Sequence, residues 1–168
     1  MKNMTALDVQ QNRMNQYDEV IKALRETFGS RLKTVVLFGS QARGTAKSFS
    51  DHDLFVVIEA LSRDPIVRLK EVRSVLVPIV ARTPGPIAFT AKTPEEFSLN
   101  LTPLLLDIST DGVCLYGEAF FEPYRSKALK AIRSARLHRK EIGGNLIWEF
   151  PSLPKRDWEI TWDGYREI

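Results

Sequence analysis

Twenty-five residues constrain this chain more than the rest: Val35 to Glu59, VVLFGSQARGTAKSFSDHDLFVVIE. An apolar run, Val35 to Phe38, meets Gly39-Ser40. Ten residues later Asp51-His52-Asp53 opens a second apolar run, Leu54 to Ile58. Both runs are short and rich in Val, Ile and Phe, as buried strands are. The stretch therefore reads strand, glycine turn, short helix, loop, strand. Gly39 can adopt the backbone that a tight exit from a strand needs. The amides after it can face a phosphate at a helix N-terminus.

Strand side chains alternate faces, so Asp51 and Asp53 point one way and His52 the other. Two adjacent carboxylates repel unless a cation lies between them. Mg²⁺ (or Mn²⁺) takes oxygen ligands and is commonly shared with substrate phosphates. A Gly-Ser turn beside such a pair is chemistry for ATP or another nucleoside triphosphate.

Gly39-Ser40, ten residues, then Asp-x-Asp resembles the signature of the polymerase-beta-like nucleotidyltransferase superfamily. Ala42-Arg43-Gly44 and Ser50-Asp51-His52-Asp53-Leu54 resemble its minimal, antitoxin-like branch. The resemblance runs from about Tyr17 to Gly117. It implies an α/β (α+β) fold: a small mixed β-sheet with helices packed on one side. It also implies Mg²⁺-dependent transfer of a nucleoside monophosphate, AMP from ATP foremost, to a hydroxyl acceptor. In that scheme Gly39 and Ser40 hold the β- and γ-phosphates, and Asp51 and Asp53 hold the metal. Arg43 either contacts phosphate or serves as a surface or loop-ordering arginine. The branch also resembles antitoxins that act on or bind a helical toxin, so a toxin-like protein partner is implied.

The resemblance implies a third acid on the following strand, which helps to ligate the metal and takes the proton from the attacking hydroxyl. Aligned on Pro86 and Thr93-Pro94-Glu95-Glu96, that position is Ala88, and no Asp or Glu lies between Glu71 and Glu95. Glu59 shares a face with Asp53 but is roughly 20 Å along the strand, at about 3.3 Å per residue. Glu95, Glu96 and Asp107 sit on predicted helical segments and would have to fold back. The alternative function is therefore a degenerate nucleotide-binding or partner-binding protein.

The 168-residue chain is expected to hold a nucleotidyltransferase domain, residues 1–117, and an extension, residues 118–168. Residues 8–28 read as a helix with Met14, Tyr17, Ile21, Leu24 and Phe28 on one face, stopped by Gly29. Asp64-Pro65 starts another helix, with Ile66, Leu69, Val72 and Leu76 as its buried face. Ile87 to Ala91 reads as a third strand. Residues 101–110 read as a helix interrupted near Pro103, and Val113 to Tyr116 as a fourth strand. In the extension, Tyr124 to Lys140 reads as a basic helix with Arg125, Lys127, Lys130, Arg133, Arg136, Arg139 and Lys140 and no acid. It suits RNA, an acidic partner surface, or plain solvent exposure. Residues 145–150 and 158–162 read as two strands of one hairpin. Trp148, Trp158, Trp162 and Tyr165 suit a core, a subunit contact or base stacking.

The net charge of +3 suits a polyanionic substrate. No apolar run approaches the about 18 residues of a membrane span, and the first residues lack a signal peptide's apolar stretch. The expectation is a cytoplasmic protein, no membrane contact, and a possible homodimer. The single cysteine, Cys114, excludes an internal disulfide and reads as a core residue.

Overall fold

The structure is a computed structural model that describes residues 15–143 and 145–168. Its centre is a four-stranded mixed sheet. β1 (Leu32–Phe38) lies between β2 (His52–Ile58) and β4 (Val113–Tyr116), antiparallel to both. β3 (Ile87–Lys92) runs parallel to β2 at one edge, giving the order β3-β2-β1-β4.

The sheet has an apolar core on each face, because β1 and β2 are apolar at nearly every position. On one face Val35, Leu37, Leu54, Val56 and Ile58 pack under helix α1 (Asp18–Phe28), through Val20, Leu24 and Phe28. On the other face Val36, Phe55 and Val57 meet α4 (Pro94–Leu99), α5 (Pro103–Asp111) and α6 (Glu118–Ala135). The mixed α/β class is as expected, but the helices cover both faces. The resemblance pointed to one-sided packing, which would leave Val36, Phe55 and Val57 in water. All three are essentially inaccessible.

The helix starts follow their caps. Asp64 Oδ1 accepts from the amides of Ile66 and Val67, with Pro65 in the first turn of α3 (Pro65–Ser74). Thr93 and Glu96 form a capping box at α4. Thr102 caps α5, so Pro103 begins that helix where an interruption was expected. The buried face assigned to α3 is too wide: Val72 is buried, but Ile66 and Leu69 are exposed. At the N-terminus α1 begins at Asp18; Met14 and residues 8–14 lie outside the described residues.

The segment after Gly117 differs most from expectation. Helix α6 begins at Glu118 and ends at Ala135. Arg136 takes a left-handed conformation (φ 53°), and the amides of Arg136 and Leu137 close back on Arg133 and Ile132. That is a Schellman-type stop made without glycine. Arg139 and Lys140 therefore lie on β5 (His138–Ile142), which pairs with β6 (Asn145–Glu149). A second hairpin joins β7 (Trp158–Thr161) to β8 (Gly164–Glu167). The expected pairing of residues 145–150 with 158–162 is replaced by these two local hairpins. Trp162, in the β7–β8 turn, packs against Phe97 and Tyr124 with ring centroids 5.2 and 5.1 Å away. Among the described residues no helix is long and apolar enough to cross a membrane.

Gly117 joins β4 to α6 where the chain crosses the backbone of β1. Its φ is 75°, and a Cβ there would lie 1.9 Å from the Lys33 carbonyl oxygen. Replacement by alanine adds a strained φ to a backbone overlap that no side-chain shift relieves. Gly117→Ala is expected to cost about 2–4 kcal/mol, read as a lower urea-unfolding midpoint with an unchanged slope.

Candidate active site

β1 ends at Phe38, and Gly39 turns the chain with φ 71° into the short helix α2 (Gly39–Arg43). Across the antiparallel ladder Phe38 faces Asp53. This register brings the Asp53 carboxylate onto the turn: a Cβ at Gly39 would lie 2.6 Å from Asp53 Oδ2. Gly39 is thus required for space as well as for backbone conformation. The two halves of the motif, ten residues apart in sequence, are in contact.

Asp53 is half-buried, and its face of β2 also carries Phe55 and Val57. Burial first, and the neighbouring Asp51 second, push its carboxyl above the usual range. His52 and Arg43 oppose that rise. A carboxylate raised by confinement and a like charge gains from a cation, so the pair fits a hard divalent ion. Asp51 is exposed.

His52 points to the opposite face, as alternation predicts. It is 7% exposed, and its Nδ1 lies 2.7 Å from the Tyr17 hydroxyl. Burial holds its imidazole below the ordinary value, outweighing the two aspartates. Gln41 Nε2 donates to the Ser50 carbonyl at 3.3 Å and lies 3.4 Å from His52 Nε2. The loop between α2 and β2 is fastened at its return by these contacts. Sequence reading turned His52 away from the aspartates correctly but gave it no task.

In the parallel register Asp53 sits beside Ala88. Registered neighbours share a face, so the methyl group of Ala88 lies on the aspartates' side. The other acids have local partners. Glu96 accepts a two-pronged bond from Arg68, at 2.8 and 2.9 Å, and bonds the Thr93 amide. Arg68 is the first cause holding the Glu96 carboxyl below its usual range. Glu59 is paired with Lys33 at 2.9 Å. Asp107 accepts from Trp148 Nε1 at 2.9 Å. Among the described residues no group of three or more His, Cys, Asp or Glu is placed to hold a metal.

Arg43, at the end of α2, lies 4.0 Å from Asp111 Oδ2 on α5 and is close enough to Asp53 to lower its carboxyl. Asp111 and Arg139 are part of this surround, and neither had a local sequence signal: Asp111-Gly112 reads as a turn, and Arg139 as one more helix cation. Lys47 is exposed. Cys114 is half-buried with its thiol pushed up chiefly by burial, which suits a packing residue more than a nucleophile.

A family model described as a nucleotidyltransferase domain matches residues 17–130. A curated protein of Methanocaldococcus jannaschii, described as a candidate protein adenylyltransferase, is 31% identical over 121 residues. The match covers 71% of this chain and 82% of that protein. A chain from a crystal structure of a toxin–antitoxin with AMP-PNP superposes with a TM-score of 0.50 at 22% identity. That match covers 71% of this chain and 88% of the other. It is a likeness of fold.

The raised Asp53 carboxyl makes a stability prediction. The folded protein holds this proton more tightly than the unfolded chain. Its contribution is therefore fully present below the unfolded value, about 3.9, and is lost as pH rises through the folded value. Asp53→Asn removes that loss. Without metal, the variant is expected to melt on the order of 1–3 °C above wild type at pH 7. The gain should vanish below about pH 4. Calorimetric scans at both pH values check it.

Proposed function

Since the chain belongs to the nucleotidyltransferase domain family, we propose that it transfers AMP from ATP to a hydroxyl group of a protein partner. The observation that carries this reading is the contact of Asp53 with Gly39, which sets one carboxylate of the pair against the turn. Gly39 and Ser40 would receive the β- and γ-phosphates at the start of α2. Arg43 would meet phosphate charge from the other end of that helix. Asp51 and Asp53 would hold a divalent ion, Mg²⁺ or Mn²⁺. Such an ion would neutralise triphosphate charge and polarise the phosphoryl oxygens. In the transfer, the acceptor oxygen bonds to the α-phosphorus while the bond to pyrophosphate breaks, and the hydroxyl proton must leave. The chain's own contribution is mainly positioning and charge. A protein as acceptor is supported by the description of the archaeal relative.

A second reading has its own observation. Ala88 stands beside Asp53 where the resemblance implies a proton-accepting, metal-ligating acid. Alanine can do neither, which favours a protein that binds nucleotide and partner with little turnover. Nucleotide binding through two carboxylates remains reasonable, because Mg²⁺ often keeps several waters and takes one or two carboxylates plus phosphates.

Titration of ATP with Mg²⁺, run beside transfer from α-labelled ATP, separates the readings. Wild type is expected to bind ATP and to label an acceptor protein. Asp51→Asn combined with Asp53→Asn is expected to lower metal-dependent affinity by at least about a hundredfold. Unchanged affinity in that variant would sink the site. Bound ATP with silent wild type, and pyrophosphate released only by Ala88→Asp, would establish the binding reading instead.

A further inference from the structure

Asp107 and Asp111 stand one turn apart on α5. Their counter-charge comes from the first hairpin of the C-terminal segment. Arg139 on β5 donates to both oxygens of Asp111, from Nη1 to Oδ2 at 2.5 Å and from Nη2 to Oδ1 at 2.7 Å. Its Nη1 also lies 3.6 Å from Asp107 Oδ1. The guanidinium sits over the Trp148 ring, 5.3 Å from its centre, and the same indole donates to Asp107. Four groups from α5, β5 and β6 thus form one partly buried knot, with the Arg139 and Asp111 side chains 19% and 18% exposed.

Arg43 is at the margin of that knot. It lies 4.0 Å from the Asp111 oxygen that Arg139 already holds at 2.5 Å. Two-pronged arginine–carboxylate pairing uses both oxygens in one plane, so one carboxylate serves one guanidinium in this way. The arginine that wins Asp111 is fixed, and the other is left for an outside anion.

We propose that Arg139 is a positioning residue for the nucleotide site: by holding both Asp111 oxygens, it keeps Arg43 off that carboxylate and available to a triphosphate. This rests on the reading of Gly39, Arg43 and Asp53 as the nucleotide site. It also gives the first hairpin a task in that site. Without Arg139, Asp107 and Asp111 would lose their main counter-charge, and Arg43 would be drawn onto Asp111 and away from phosphate.

The test uses the full chain and Mg²⁺·ATP. Arg139→Ala is expected to weaken ATP binding about tenfold. Adding Asp111→Asn removes the competing charge, and the double variant is expected to return to within about threefold of wild type. A purely structural tie would leave the double variant as weak as the single one or weaker, and that result overturns the proposal. Urea midpoints of both variants show whether lost binding is lost folding. A crystal structure of Arg139→Ala without nucleotide gives a separate readout: Arg43 should close on Asp111 to about 3 Å. An Arg43 that stays in place overturns the proposal even if affinity falls. If Arg43 moves but wild type binds no ATP, the nucleotide reading has failed, and the role of Arg139 toward ATP fails with it.

Discussion

The contact between the Asp53 carboxylate and the Gly39 backbone depends on the pairing of two strands. Phe38 must face Asp53 for the turn to lie under the carboxylate. A slip of one residue would send every side chain of β2 to the opposite face. His52 would enter the α5–α6 side, and the aspartates would enter the core beneath α1. The apolar residues on both faces prevent this. Leu54, Val56 and Ile58 complete one core while Phe55 and Val57 complete the other. Burial far from the site therefore fixes the site's geometry.

This geometry works against stability. A half-buried carboxylate beside a second one has a raised pKa because its ionised form is disfavoured there. Nearby contacts act in the other direction. Tyr17, just ahead of α1, anchors His52, and Gln41 links α2 to the end of the loop at Ser50. The backbone amide of His52 donates to the Pro86 carbonyl at 2.8 Å, which fastens β2 to the start of β3. Like charges held together by surrounding contacts are a common arrangement where a site is built for an ion or substrate that arrives later.

The central sheet and the motif were legible because their signals are local and strong. Dense Val, Ile and Phe mark β1 and β2. Asp64-Pro65 and Thr93 through Glu96 mark helix starts, and alternation along β2 set His52 and Asp53 on opposite faces. Aligning on Pro86 and Thr93 led to Ala88 as the third-acid position, and the parallel register sets that residue beside Asp53. The C-terminal segment was less legible for two physical reasons. The stop of α6 falls on Arg136, a left-handed residue with no glycine to announce it. Gly143-Gly144 then lies between two runs of five, the spacing of a tight hairpin, yet it reads equally as the end of a basic helix. Both errors moved Arg139 onto the wrong element. Its pairing with Asp111 spans 28 residues and joins a strand to a helix, a contact that no periodicity encodes.

The charges around the site bear on what Ala88 means. Asp51 and Asp53 carry two negative charges, and Arg43 returns one. A third carboxylate at position 88 would stand directly beside Asp53 on β3, on the same face. It would deepen a repulsion that already raises Asp53, and it would need a more strongly bound cation to offset it. An alanine leaves the turn and the two aspartates unchanged and makes the site easier to keep folded without metal. It also leaves position 88 without the proton-accepting acid that the resemblance implies. On the binding reading, this chain's site is matched to holding a triphosphate more closely than to moving a proton. A reactive acceptor would have to bring its own base or lose its proton to water.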